Sequence, residues 1–291
     1  MKNTNQRILV IGATGMLGKP VAEKLSEDGF TVRVLVRDPI KAQRLLGEKV
    51  EIIKGDVSNA DSLHSALTDV DGVHISLSGG PTAADFDRMD HLATRDIANA
   101  AVEMNVKRVT ILSAYAISMK KADTPESISK LKGEAALISS SVPYTIFRAT
   151  WFMETLPKFV QGKTISLIGN QVHPLHWIAA EDFARMVSKS YQTDETLNKE
   201  FYIFGPKACT MGEAMEIYAK HSGLKVAPIS LKFLSVLGTL TLNTEWKSMA
   251  VLMKHYENWG EDGSPDEANL LLGAPNISLR KWLEKKASGG L

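Results

Sequence analysis

Seven residues near the start of the chain, Gly12-Ala13-Thr14-Gly15-Met16-Leu17-Gly18, constrain its fold more than any other stretch. A glycine triplet alone is common. Here it follows a short apolar run at residues 7–11, the pattern of a strand buried on both faces. It precedes Leu17, Val21 and Leu25, which recur every four residues as one helix face. Strand, glycine turn and helix in that order predict a phosphate-binding turn for a dinucleotide. Gly12 permits the tight turn, Gly15 lets the backbone approach a pyrophosphate, and Gly18 lets helix pack closely on strand. The helix N-terminus adds unpaired N–H groups and a positive dipole end. The expected contacts of this turn are Gly12, Thr14, Gly15, Met16, Leu17 and Gly18.

The same alternation continues through the first half. Strands are expected at 31–36, 50–53, 72–77 and 108–112, with helices at 40–46, 58–67 and 85–104 between them. Short links between alternating strands and helices imply parallel pairing through right-handed crossovers. The predicted class is α/β, a doubly wound parallel sheet with a small, mainly helical C-terminal substrate domain. Residues 1–150 are expected to form the dinucleotide-binding domain. Residues 151–291 are read as a mixed region, part completing the sheet and part forming the substrate domain. In the second half, helices are expected at 126–140, 181–190, 211–222, 231–240, 246–259 and 279–285, and strands at 143–148 and 201–204; 287–291 reads as a loose end.

Composition removes several function classes. The 291 residues carry 34 Lys+Arg against 33 Asp+Glu, so no broad basic surface marks a nucleic-acid or membrane-surface protein. The single cysteine, Cys209, rules out an intramolecular disulfide and CxxC-type zinc sites. Residues 233–242 are the longest uncharged apolar candidate, too short for the roughly 20 residues of a membrane span. A cytoplasmic protein is expected, acting on a small molecule, with a protein partner or homodimer left open. His173 and His176 lack the carboxylates or cysteines of a metal cluster, and no metal site is expected. They read as cleft lining or packing.

The residue after the second strand decides which dinucleotide fits. A carboxylate there suits the ribose hydroxyls of NAD, and an arginine suits the 2′-phosphate of NADP. The chain has Val36-Arg37-Asp38-Pro39, with Lys41 close behind. Arg37 and Lys41 predict NADP, and Asp38 keeps NAD as the lesser alternative. Asp56 and Val57 follow the third strand, where Asp56 would either accept from the adenine amino group or cap a helix. Ser76, Leu77 and Ser78 at the end of the fourth would let backbone approach the cofactor. Trp151, Phe152 and Met153 are open between pocket lining and core.

Taken together, these segments resemble the NmrA-like group of atypical short-chain dehydrogenase/reductases. The resemblance rests on the glycine turn, Arg33-Val34-Leu35-Val36-Arg37-Asp38-Pro39 and Gly55-Asp56. It also rests on Ser139-Ser140-Ser141-Val142-Pro143-Tyr144-Thr145-Ile146-Phe147-Arg148 and Trp177-Ile178-Ala179-Ala180-Glu181-Asp182-Phe183-Ala184. It implies a Rossmann domain, NADP binding, and either a reductase of quinones or similar electrophiles or a dinucleotide-sensing regulator without turnover. Related short-chain enzymes carry Tyr-x-x-x-Lys, the tyrosine donating a proton and the lysine holding the nicotinamide ribose. By that resemblance Lys130 matches the lysine and Ser113 the usual serine, but Glu126 stands in the tyrosine position. A glutamate is ordinarily ionised at neutral pH unless burial raises its pKa. A quinone-type acceptor, whose reduced anion is only weakly basic, is therefore expected, with no essential acid at position 126.

Overall fold

The computed structural model describes residues 6–117 and 121–288; of the segment read as a loose end, 289–291 lie outside them. The first half runs β1 (Arg7–Ile11), α1 (Gly18–Glu27), β2 (Thr31–Val36), α2 (Pro39–Leu46), β3 (Val50–Lys54), α3 (Ala60–Leu67) and β4 (Gly72–Ile75). It continues with α4 (Ala83–Phe86), a π turn at Asp87–Leu92, α5 (Ala93–Glu103), β5 (Arg108–Ala114), α6 (Pro125–Ser139) and β6 (Tyr144–Ala149). After a 3-10 turn at Met153–Phe159 come β7 (Val160–Gln161), β8 (Thr164–Ile168), β9 (Leu175–His176), α7 (Ala180–Ser190), β10 (Lys199–Ile203) and β11 (Ala208–Cys209). The chain ends with α8 (Met211–Ser222), β12 (Lys225–Ile229), α9 (Leu231–Leu240), α10 (Thr244–Asn258), α11 (Asp266–Leu272) and α12 (Leu279–Ala287).

Seven strands form one parallel sheet in the order β10-β6-β5-β4-β1-β2-β3. Its cores follow from strand periodicity. Ile8 and Val10 point to one face, where they pack with α1, α7 and α11. Leu9 and Ile11 point to the other, against α3, α5 and α6. Both faces are covered, which is why the strands are continuous apolar runs. Strand order reverses between β1 and β4, opening a crevice beyond their carboxyl ends, where ligands bind in such sheets.

Two quoted segments tie the chain together. Arg148 on β6 pairs with Glu134 on α6 at 2.6 Å, and Asp182 on α7 accepts from the backbone N–H groups of Asn276 and Ile277 at 2.9 and 2.8 Å.

Three sequence expectations change. The helix expected at 85–104 is interrupted by the π turn. The fourth strand stops at Ile75, so Ser76–Ser78 is loop. The second half is less helical than its periodicity suggests. It holds a three-stranded sheet, β12-β8-β7, and a two-stranded pair, β11-β9. Pro228 disguises β12, and is tolerated because β12 lies at a sheet edge. A third core fills this part, with Met153, Phe159, Trp177, Met215 and Trp282 among its members.

Candidate functional site

The glycine turn is built by backbone contact. Gly12 has φ +89°, and a Cβ on it would lie 2.2 Å from the Ser76 carbonyl oxygen. Only glycine permits both that dihedral and that approach. The Ser76 N–H donates to the Ile11 carbonyl at 2.9 Å, so the turn after β1 and the loop after β4 meet edge to edge. Gly18 lies as close to Gly12: its Cβ would stand 2.2 Å from the Gly12 oxygen. Gly15 is exposed and less crowded, a Cβ there meeting only the Gly12 oxygen at 3.1 Å. Leu17 occupies the N-cap of α1 and supplies no side-chain cap, so the helix presents free N–H donors to the crevice. Thr14 is half-buried within the turn.

At the rim, Arg37 and Lys41 are exposed. Asp38 caps α2, accepting from the Lys41 N–H at 3.0 Å, which engages the carboxylate that would otherwise favour NAD. Asp56 accepts from the Ser58 N–H and hydroxyl at 2.9 and 2.7 Å, and these bonds hold its carboxyl below the usual range. That is the turn role of the two roles read for it. Val57 does not extend its side chain to a ligand. It is buried with Leu35 and Ile75 in the core, because the loop after β3 folds over the sheet.

From the turn a cavity of about 410 Å³ runs inward; Gly15, Met16, Leu17, Ser76, Leu77 and Ser78 form its outer wall. Ser113 and Lys130 stand in the same cavity. Ser113 is 5% exposed and its Oγ has no hydrogen-bond partner among the described residues, so a polar group is missing from its surroundings. Lys130 Nζ donates to Asp90 Oδ1 at 2.6 Å, and Asp90 Oδ2 accepts from the Gly79 N–H at 3.0 Å. Burial alone would push Lys130 down, but Asp90 and then Glu126 outweigh it and hold the ammonium above the ordinary lysine range. Lys130 thus remains a cation with donors left for a ligand. Gly133 makes this pairing possible: a Cβ there would lie 2.1 Å from the Asp90 carbonyl oxygen, so only glycine lets α6 approach the π turn. Asp90 had no distinguishing mark in the sequence, where a lone aspartate on a helix reads as solvated.

The inner wall is aromatic. Trp151 and Phe152 line it, as one of their two readings held, while Met153 is core. The 3-10 turn adds Phe159, and α10 adds Met249, Leu252 and Tyr256, a stripe with helical spacing. Trp151 and Tyr256 pack edge to face with centroids 5.0 Å apart. Glu126, in the first turn of α6, closes the floor. It and Leu252 also line a second, largely apolar cavity of about 280 Å³, bounded by Phe86, Thr244 and Val251. Burial pushes the Glu126 carboxyl up. Lys130 opposes this, Asp90 reinforces it, and the net direction is upward. The sequence expectation of an ordinary, ionised glutamate is therefore corrected.

His176 lies outside the cavity, bound to Glu261 at 2.6 Å and stacked on Phe204. No cluster of three metal-ligating side chains occurs among the described residues, and none of their helices is long and apolar enough to cross a membrane.

A doubly wound sheet with a glycine turn at its switch point defines a dinucleotide-binding type of fold. The NmrA-like family model matches residues 4–279, and the chain belongs to that family. Among curated relatives it is similar to the photosystem II assembly factor Ycf39 of Cyanophora paradoxa, 28% identical over 252 residues, covering 82% of this chain and 76% of that one. It is also similar to the NAD(P)H azoreductase of Xenophilus azovorans, 26% identical and covering 77% of each. Among solved structures, the NADPH-dependent quinone oxidoreductase QOR2 of Escherichia coli, complexed with NADPH, superposes with a TM-score of 0.76 at 22% identity. That match covers 96% of this chain and 99% of that one, and it shares the fold.

Proposed function

We propose that the chain binds NADPH and transfers hydride to a quinone or similar flat electrophile. The observation that carries this reading is a single cavity joining the glycine turn and the unpartnered Ser113 Oγ to an aromatic chamber. The residues fit the dinucleotide. The Gly12 and Gly18 contacts set the turn, and the N–H groups at Gly15, Met16 and Leu17 would receive the pyrophosphate. Arg37 and Lys41 would take the 2′-phosphate, since Asp38 is engaged as a cap. Backbone at Asp56 and Val57 would border the adenine, with Ser76–Ser78 beside the phosphates. Lys130, oriented by Asp90, would hold the nicotinamide ribose, and Ser113 would donate to the oxygen on which charge develops. When bound, the reduced dinucleotide supplies the hydride. The chain's own residues align the acceptor against it and keep water out. The azoreductase and quinone oxidoreductase relatives support a reductase.

The test is NADPH oxidation, followed by absorbance, against a panel of quinones. Acceptor-dependent oxidation with matching hydroquinone is expected. The assembly-factor relatives favour a second reading, a dinucleotide-sensing regulator acting through a protein partner. Tight NADPH binding without oxidation across the panel would establish that one instead.

A further inference from the structure

Glu126 is held in place more firmly than a surface glutamate. The first turn of α6 is fixed by a reciprocal cap, in which Thr124 Oγ1 accepts from the Ser127 N–H and Ser127 Oγ accepts from the Thr124 N–H, both at 3.0 Å. That turn places the Glu126 side chain at the boundary of the two cavities, and the carboxyl makes no hydrogen bond or ion pair with any described residue. The nearest cation, Lys130, one helical turn along, is already paired with Asp90. From these positions, and resting on the reductase reading, we propose that Glu126 is the proton donor to the reduced acceptor.

Reducing a quinone to a hydroquinone takes one hydride and one proton. The hydride brings both electrons and the first hydrogen. The Glu126 carboxylic acid supplies the second: its O–H bond breaks as the hydroquinone O–H forms, and the carboxylate is reprotonated from solvent. Among the described residues, the groups acting on it come from several elements. Lys130 on α6 and the N-terminal dipole of that helix favour the carboxylate. So does His255 on α10, itself bonded to Asp123 and to the Ala116 carbonyl. Burial and Asp90 on the π turn favour the acid, and their sum prevails. Tyr256 on α10 stays neutral, its hydroxyl pushed up by burial, and Lys247 borders the second cavity. A glutamate held this way can carry a proton at a pH where a surface glutamate has lost it.

The experiment compares kcat against pH for the unmodified protein, Glu126→Gln and Glu126→Asp, together with infrared spectra of the same three proteins. In the unmodified protein the rate should fall as pH rises through the Glu126 pKa, because the donor is lost. Glu126→Gln should lower kcat at neutral pH on the order of ten- to a hundredfold, within the usual range for a positioned acid, and abolish that alkaline limb. Its NADPH dissociation constant should be unchanged. Glu126→Asp should keep the limb at a reduced rate. A carboxylic-acid C=O band present at neutral pH should disappear in Glu126→Gln. Turnover in Glu126→Gln with an unchanged rate and profile overturns the donor role alone. So does an infrared spectrum in which the substitution removes a carboxylate band instead. No acceptor-dependent turnover in the unmodified protein overturns the reductase reading, and the donor role with it.

Discussion

The two walls of the main cavity are made by different means. The dinucleotide wall is backbone: the turn at Gly12–Gly18 lies against the loop at Ser76–Ser78, with atoms as close as glycine allows. The inner wall is side chain, contributed by Trp151, Phe159, Met249, Leu252 and Tyr256 from two segments about a hundred residues apart. A backbone wall has one solution and fails abruptly when a Cβ enters it. A side-chain wall has many near-equivalent solutions and changes by degrees. The first should govern whether the dinucleotide binds at all. The second should govern which acceptor is taken, and how well.

The sharpest test of that contrast is at Gly15. Because it is exposed and its Cβ would meet only one atom, Gly15→Val should leave a folded protein. The added side chain would occupy the phosphate's space. NADPH binding measured by calorimetry should be abolished while the urea midpoint stays near that of the unmodified protein. Unchanged binding would show the turn to be structural only. At the rim a smaller effect is expected. Arg37→Glu should remove most of the preference for NADPH over NADH. A charge-assisted phosphate contact of about 1.5–3 kcal/mol corresponds to roughly ten- to a hundredfold in affinity. Equal affinity of the unmodified protein for both dinucleotides would count against this assignment. The inner wall should give the mildest response. Leu252→Ala removes part of an apolar contact of about 1 kcal/mol, so the acceptor KM should rise several-fold with NADPH affinity unchanged. A matching loss of NADPH affinity would mean that the two walls are not independent.

The same division explains what could be read from the sequence. Strands buried on both faces announce themselves as apolar runs, and β1 and β2 begin and end where their residues predicted. The glycines at 12 and 18 carry information because no other residue survives those approaches. By contrast, Tyr256 and Leu252 look like any helical apolar stripe, and nothing local says which cavity they face. Val57 was placed at a ligand by its position after a strand, although its apolar side chain belongs to the core. Glu126 carries no mark of its environment in the sequence. Its upward shift arises from burial and from Asp90, 36 positions away, brought near by the approach at Gly133.

The π turn at Asp87–Leu92 has a consequence for how such a site changes over evolutionary time. A π turn holds one residue more than the α-helical turn it replaces, the residue gained in a single-codon insertion. Deleting one residue there would restore regular winding and swing what lies beyond it by about 100° around the helix axis. Asp90 would leave Lys130 and the Gly79 N–H together, and Lys130 would be left without its counter-ion. A one-residue length change in this helix, with every named side chain still present in the sequence, would thus rewire the charge of the whole cavity floor. Two chains aligned without a gap at this helix share the arrangement; one codon of difference is enough to part them.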